Sequence, residues 1–297
     1  MLSTTTQHNT TKTTGKTRVI AHPPLRYFGA KWRLAPWLIT HFPPHVCFVD
    51  VFGGGMSVTL RKPPSIFNVY NDIDCQVVTF FRVLRDRSEE LVRAIELTPF
   101  ARAELATAYE PTTDDLEIAR RLFIRCWQSI GGPGMRWNSG WRFQVKNSRG
   151  KKSIEDWNDL DHLHAVAERL RSIYIECDDA LKIIKRYDSP TTLFYLDPPY
   201  LPETRSNRWR EHAYTCEMTV DQHFKLARRL QAIKGMAVVS GYPSTSYDKW
   251  YSGWRTYTKR ARVNTGRKGA GLATEKIWIS PNAIECVGQP NLIDGVI

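Results

Sequence analysis

The chain has 297 residues, with 42 Lys and Arg against 30 Asp and Glu, which gives a formal net charge of +12. Hydrophobic residues make up 42% and mean hydropathy is −0.41, which predicts a soluble globular chain with enough apolar material for a core, as one large domain or a domain carrying an inserted lobe. No run reaches the roughly 18 apolar residues of a membrane span, and the basic surplus predicts a polyanionic partner.

Met1 to Thr17 is threonine-rich and lacks an apolar centre, so it reads as a disordered arm rather than a secretory signal. Cysteines at 47, 75, 126, 177, 216 and 286 form no C-x-x-C pair and read as reduced, buried thiols. His162 and His164, two apart, face different sides of a helix and make poor joint ligands. No metal is expected.

The folded part opens at Tyr27-Phe28-Gly29-Ala30-Lys31, followed by a helical pattern through Trp32, Leu34, Trp37, Leu38 and Ile39. Gly29 permits close backbone approach to a ligand, and Lys31 offers a point charge to a carboxylate. Next, Cys47 to Ser57 reads as strand, glycine turn and helix, with Asp50 ahead of Gly53-Gly54-Gly55. The turn is neither a P-loop nor G-x-G-x-x-G. An acid followed by glycines suits a nucleoside ligand with a cationic amino-acid tail. A strand from Ser65 to Tyr70 ends at Asn71-Asp72-Ile73-Asp74. Asp72, about 20 residues past the glycines, is placed to hold ribose hydroxyls, while Asp74 caps the following helix.

Helical spacing predicts helices over Gln76–Asp86, Ser88–Glu96, Pro99–Tyr109 and Asp114–Ile130. The texture then changes. Arg136, Trp137, Asn138, Trp141, Arg142, Lys146, Arg149, Lys151 and Lys152 interleave cations with aromatics and amides between Gly131 and Lys152. This reads as an insertion of roughly 25 residues that meets phosphates and base edges, the alternative being a solvated basic loop. After a helix over Ser153–Arg171, a strand Ile173–Glu176 ends at Asp178-Asp179 and a short helix runs to Tyr187.

Strand Leu193–Leu196 then delivers Asp197-Pro198-Pro199-Tyr200. The prolines end the ladder, so Asp197 stands at the carboxyl end of a core strand, where open α/β sheets place ligands. The second proline stiffens the turn, which predicts a presented rather than packed Tyr200 ring. A carboxylate, a carbonyl and a ring together suit an exocyclic amine on a planar base. Taken alone, the tetrapeptide is also an ordinary strand-end turn. Pro202 to Tyr214, with Arg205, Asn207, Arg208, Trp209 and Arg210, reads as a lid. A helix Val220–Ile233, a strand Met236–Ser240, a helix near Ser246–Trp250 and strands near Trp254–Lys259 and Thr274–Ser280 complete an α/β domain. Arg267 and Lys268 lie in a second basic hairpin, and the tail after Pro281 is uninformative.

In this order, Tyr27–Lys31, Asp50–Ser57, Asn71–Asp74, Asp179-Ala180 and Asp197–Tyr200 resemble the Dam-like (alpha-group) adenine-specific DNA methyltransferases, closest in style to phage and prophage members. The resemblance implies a Rossmann-like sheet that uses S-adenosylmethionine and carries an inserted helical and loop lobe for DNA recognition. It implies a catalytic domain over residues 22–98 and 173–281, a lobe over 99–172, an arm over 1–21 and a tail over 282–297. Tyr27 and Lys31 would contact the methionine part of the donor, the turn from Asp50 through Gly53 to Gly55 would lie against it, Asp72 would hold its ribose and Asp179 its adenine. Asp197 would stand between donor and target, with Pro198 accepting from the target amine and Tyr200 stacking on the base. Arg136, Trp137, Asn138, Arg142, Lys146, Arg149, Lys151, Lys152, Arg208, Tyr214, Arg267 and Lys268 would meet double-stranded DNA. Some members have tryptophan where this chain has Tyr27. The expected setting is a bacterial cytoplasm or nucleoid, without a membrane partner, as a monomer or weak dimer. Two alternatives stay open: methyl transfer to RNA or to a protein glutamine amide, and a catalytically inactive DNA-binding module of the same fold.

Overall fold

A computed structural model describes residues 20–130, 140–143, 153–205, 214–264 and 270–287. Its strands are β1 (Cys47–Asp50), β2 (Phe67–Asn71), β3 (Tyr174–Glu176), β4 (Thr192–Leu196), β5 (Met236–Gly241), β6 (Arg255–Asn264) and β7 (Ala270–Ile279). They form one sheet in the order β3-β2-β1-β4-β5-β7-β6. The first five are parallel, and β7 runs antiparallel to both β5 and β6.

The apolar run of β4 explains its central place. Leu193 and Tyr195 pack on one face with Phe48, Met236 and Val238, while Phe194 and Leu196 pack on the other with Val49, Ala237 and Val239. A strand buried on both sides belongs inside a covered parallel sheet. Helices supply the cover. They are α1 (Ala35–Ile39), α2 (Ser57–Arg61), α3 (Cys75–Asp86), α4 (Ser88–Glu96), α5 (Arg102–Thr107), α6 (Asp115–Gln128), α7 (Ser153–Asn158), α8 (Asp161–Leu170), α9 (Ala180–Tyr187), α10 (Val220–Leu230), α11 (Thr245–Trp250) and α12 (Pro281–Val287). Ala35, Leu38, Val58 and Ala283 from α1, α2 and α12 close one face. Ile183, Ile184, Leu226 and Leu230 from α9 and α10, with Tyr247 of α11, close the other. A third core joins Tyr70 of β2 to Phe80, Phe81, Phe123, Trp157 and Leu163 of the helical segment.

Several elements differ from expectation for local reasons. The helix expected over Ser153–Arg171 is two helices separated at Asp159-Leu160. Trp157, Leu160 and Leu163 all enter one core. A straight helix turns about 100° per residue, so three-residue steps drift around it, and the break returns them to one side. The helix expected over Pro99–Tyr109 starts only at Arg102, because Phe100 leaves the helical path to pack on Trp141 and Trp157 at 5.5 and 6.0 Å. The first helix begins at Ala35 rather than Trp32, which puts Pro36 in the first turn, where a missing N–H costs nothing. Beyond Pro281 the chain is not featureless: α12 buries Ala283, and Asn282 donates to Gly235 O at 3.0 Å. Of Cys47, Cys75, Cys126, Cys177 and Cys216 only Cys126 is buried; Cys75 and Cys177, at a helix start and a strand end, are exposed with their sulfurs 3.1 Å apart.

Candidate active site

Strand order reverses beside β1, since β2 and β3 extend one way and β4 and β5 the other. The crevice at such a point opens at the carboxyl ends of the two diverging strands. Asp50 pairs in register with Tyr195, so the acids that end β1 and follow β4 stand side by side. Between them lies a cavity of about 280 Å³, lined among others by Tyr27, Gly29, Lys31, Asp50, Gly53, Gly54, Gly55, Ser57, Asp72, Asp179, Asp197, Pro198 and Tyr214. The residues expected from five separate stretches of sequence meet at this one cavity.

The glycine turn is shaped by the protein's own rings. A Cβ on Gly53 would fall 2.2 Å from the Tyr70 ring, and one on Gly55 would fall 2.9 Å from Tyr27 Cβ. Gly54 has φ +46°, a conformation that glycine adopts without strain. Packing against Tyr70 and Tyr27 thus requires glycine at 53 and 55, in addition to any ligand the turn faces. The Tyr70 hydroxyl donates to Gly54 O at 2.8 Å, and Gly54 N donates to Asp72 at 2.8 Å, which ties the turn to β2 and its terminal acid. The other oxygen of Asp72 accepts from Asp74 N at 2.8 Å. Asp74 caps α3 through Gln76 N and receives the Tyr27 hydroxyl at 3.0 Å. Asp179 caps α9 through Leu181 N and Lys182 N. Burial pushes the Asp72 carboxyl up to about 6 despite its backbone donors.

Asp50 is 2% exposed, and its Oδ2 accepts from Thr59 Oγ1 at 2.7 Å. Its Oδ1 and the Ser57 hydroxyl have no hydrogen-bond partner among the described residues, and both residues line the cavity. Burial pushes the Asp50 carboxyl up to about 7; the Thr59 hydroxyl opposes the rise, and the Asp197 and Asp72 charges add to it. A buried carboxylate oxygen left without a donor fits a cationic ligand or an N–H group from the cavity.

Asp197 has a partner on each oxygen: Lys31 Nζ at 2.7 Å on Oδ2 and Ser240 Oγ at 3.1 Å on Oδ1. Burial raises its carboxyl, while the Lys31 charge and the two hydrogen bonds pull it down. Lys31 also donates to Gly29 O at 3.0 Å. The charge of Lys31, expected to meet the donor's carboxylate, is therefore committed to a carboxylate of the protein itself. The cavity carries its acids at the ends of four parallel strands, and the family model for D12 class N6 adenine-specific DNA methyltransferases matches residues 27–265, which include all four. The chain belongs to this family. A search of curated proteins returned no match. Family membership makes S-adenosylmethionine the methyl donor and the 6-amino group of adenine in DNA the acceptor.

One expectation is corrected. Tyr200 is not a presented ring. It is 8% exposed, its hydroxyl donates to both oxygens of Glu275 at 3.0 and 3.1 Å, and its ring lies 4.3 Å from that of Tyr242. The proline turn does stiffen the chain, but it aims the hydroxyl at β7. Tyr214 stands in the wall of the cavity. Its N–H donates to Glu217 at 2.7 Å, Arg205 holds Glu217 with two bonds of 2.9 and 2.7 Å, and the Arg205 guanidinium lies 4.9 Å from the Tyr214 ring. That ion pair draws Tyr214 inward against Phe28, at 5.1 Å.

Sequence reasoning missed Ser240 and Glu275. Ser240 is a polar residue ending an apolar strand, the same signal that marked Asp197. Glu275 shares the inward face of β7 with Ile277 and Ile279, and a lone acid on an apolar face is a signal of its own. In the basic lobe, Arg142 N donates to Gln128 O at 2.6 Å and its Nε to Ser129 O at 3.2 Å. Trp141 packs on Phe100 and stacks on the exposed Phe143 at 5.9 Å. Arg136, Trp137, Asn138, Lys146, Arg149, Lys151, Lys152, Arg208, Arg267 and Lys268 lie outside the described residues. Among the described residues no group of three or more His, Cys, Asp or Glu is gathered for a metal, and no helix is long and apolar enough to cross a membrane.

Proposed function

We propose that the cavity between Asp50 and Asp72 holds the methyl donor and that Asp197 with the Pro198 carbonyl holds the amine of a flipped adenine. The observation that carries this reading is the pair of adjacent acids facing one cavity: Asp50 with an unpartnered oxygen on the donor side, and Asp197 at the mouth of β4 beside it. S-adenosylmethionine supplies an electrophilic methyl group on a cationic sulfur. Asp50 answers positive charge in that ligand, Asp72 accepts from ribose hydroxyls through lone pairs left free by its backbone bonds, and Asp179 faces the adenine end.

The target amine is a poor nucleophile because its lone pair is shared with the purine ring. Acceptors at Asp197 and Pro198 favour a pyramidal nitrogen and the positive charge that develops as the N–C bond forms and the C–S bond breaks. S-adenosylhomocysteine is the leaving group, and the methylated, positively charged amine passes one proton to water. Positioning supplies much of the rate. A paired adenine cannot reach the crevice, so it must leave the helix at a cost of a few kcal/mol. Cationic contacts offset that cost: Arg142, and within the lobe over residues 99–172 the Arg136–Lys152 stretch, with Arg208, Arg267 and Lys268 on the lid and hairpin. The buried Tyr200 ring, beside Tyr242 and tied to Glu275 through its hydroxyl, backs the turn that carries Asp197 and Pro198. The same reading makes the chain a monomer or weak dimer acting on duplex DNA in a bacterial cytoplasm, in the style of phage enzymes.

The test is incubation with S-adenosylmethionine labelled in its methyl group and with duplex DNA, RNA or a protein mixture. Label is expected in DNA, released on digestion as N6-methyladenine. Label confined to RNA or protein would sink the reading, and absence of label in all three would favour an inactive binding module.

A further inference from the structure

An adenine amine that arrives at Asp197 competes with Lys31 for one carboxylate, since Oδ2 already accepts from Lys31 Nζ and Oδ1 from Ser240. The Lys31 side chain is 9% exposed, so its ammonium has little water to replace a lost partner. A buried cation that loses its partner is strongly destabilising. A second carboxylate stands nearby. Glu275, 5% exposed, accepts the Tyr200 hydroxyl on both oxygens, and Lys31 Nζ lies over the same Tyr200 ring, 4.9 Å from its centroid. One ring is thus gripped at its hydroxyl by an acid and faced by a cation. A tyrosine hydroxyl alone is weak compensation for burying a carboxylate; a neighbouring ammonium is a better one. Glu275 also lies beyond the residues matched by the family model.

We propose that Glu275 is a positioning residue for methyl transfer: it fixes the Tyr200 ring and takes up the Lys31 charge while the target amine occupies Asp197. The proposal rests on the reading of Asp197 and Tyr200 given above. Burial pushes the Glu275 carboxyl up to about 7, with Lys31 the main influence pulling it down, so its charge follows the position of that ammonium.

Glu275→Gln tests this, because it keeps the shape and one acceptor oxygen but removes the charge. With tritiated S-adenosylmethionine and unmethylated plasmid DNA, kcat is expected to fall roughly 10- to 100-fold. KM for donor and for DNA should stay near the values of the unchanged chain, as should the melting temperature. A kcat equal to that of the unchanged chain overturns the proposal, and so does a raised donor KM with kcat intact. Should Glu275→Gln fail to fold, Tyr200→Phe decides. It removes only the hydroxyl that Glu275 grips and is expected to lower kcat; an unchanged kcat overturns the proposal. Asp197→Ala in the same assay separates the two levels. Turnover surviving in Asp197→Ala defeats the reading of the site itself, whereas an inactive Asp197→Ala beside a fully active Glu275→Gln defeats only the role of Glu275.

Discussion

Replacing Lys31 with methionine is expected to lower methyl transfer at pH 7 by about 100-fold and to make the remaining activity climb with pH, by up to about tenfold per unit. Methionine keeps the length of the side chain and removes the charge. Lys31 Nζ is 2.7 Å from Asp197, and its charge is the first influence that opposes the effect of burial on that carboxyl. Without it the Asp197 carboxyl rises further, so a larger share of it is protonated at any given pH. A protonated carboxyl offers fewer acceptor sites to the target amine. Raising the pH ionises it again, which is why activity returns in that direction.

Stability moves the opposite way. Asp197 and Glu275 already have folded-state values above their unfolded ones, and losing the Lys31 charge raises both further. Such groups stabilise the fold at low pH, and that contribution is lost as pH rises past the ordinary carboxylate range. The Lys31→Met chain should therefore melt progressively below the unchanged chain as pH is raised. Initial rates and melting temperatures measured from pH 6 to pH 9 check both halves. Full activity at pH 7, or a loss that pH does not change, would contradict the role given to Lys31.

Gly53→Ala is expected to cost about 2–3 kcal/mol of stability, at the upper end for overpacking, and to weaken donor binding. The added Cβ would lie 2.2 and 2.3 Å from two carbons of the Tyr70 ring. Tyr70 cannot give way. It is fully buried, packs on Phe81 at 5.2 Å, and its hydroxyl is bonded to Gly54 O. The turn must shift instead, and with it Gly54 N, which donates to Asp72. Urea denaturation and equilibrium dialysis with labelled donor measure the two effects. Gly253→Ala is the control: its φ of +83° carries strain, but nothing lies within 4 Å of the new Cβ. It should cost about 1 kcal/mol and leave donor binding unchanged. A Gly53→Ala chain as stable as the Gly253→Ala chain would show that the turn is not packed as described.

The site was legible in the sequence wherever a short signal carried it. An apolar run broken by two prolines marks Asp197, and the acids after the first, second and third strands mark Asp50, Asp72 and Asp179. Parallel sheet topology then gathers strand ends automatically, so local readings became one cavity. What depends on long-range register was not legible. The Tyr200–Glu275 bond joins residues 75 apart in the chain and the Lys31–Asp197 pair joins residues 166 apart. Nothing near Tyr200 announces that β7 will present an acid to it, so a buried ring read as a presented one. Tyr214 read as a lid residue for a similar reason, because the Arg205–Glu217 pair that draws it inward is invisible until the chain folds. Helix ends went astray where single aromatic residues, Phe100 and Trp157, took precedence over local helical preference.

The role proposed for the turn after β4 is to hold the target amine, apart from the donor's own cavity wall. Asp197→Ala tests it most directly, by counting N6-methyladenine in digested DNA while donor and DNA binding are measured on the same preparation. N6-methyladenine is expected to fall by about 1000-fold, in line with the loss of a group that acts on developing charge, with DNA binding retained and still weakened by salt. An Asp197→Ala chain that methylates adenine at the rate of the unchanged chain would contradict it.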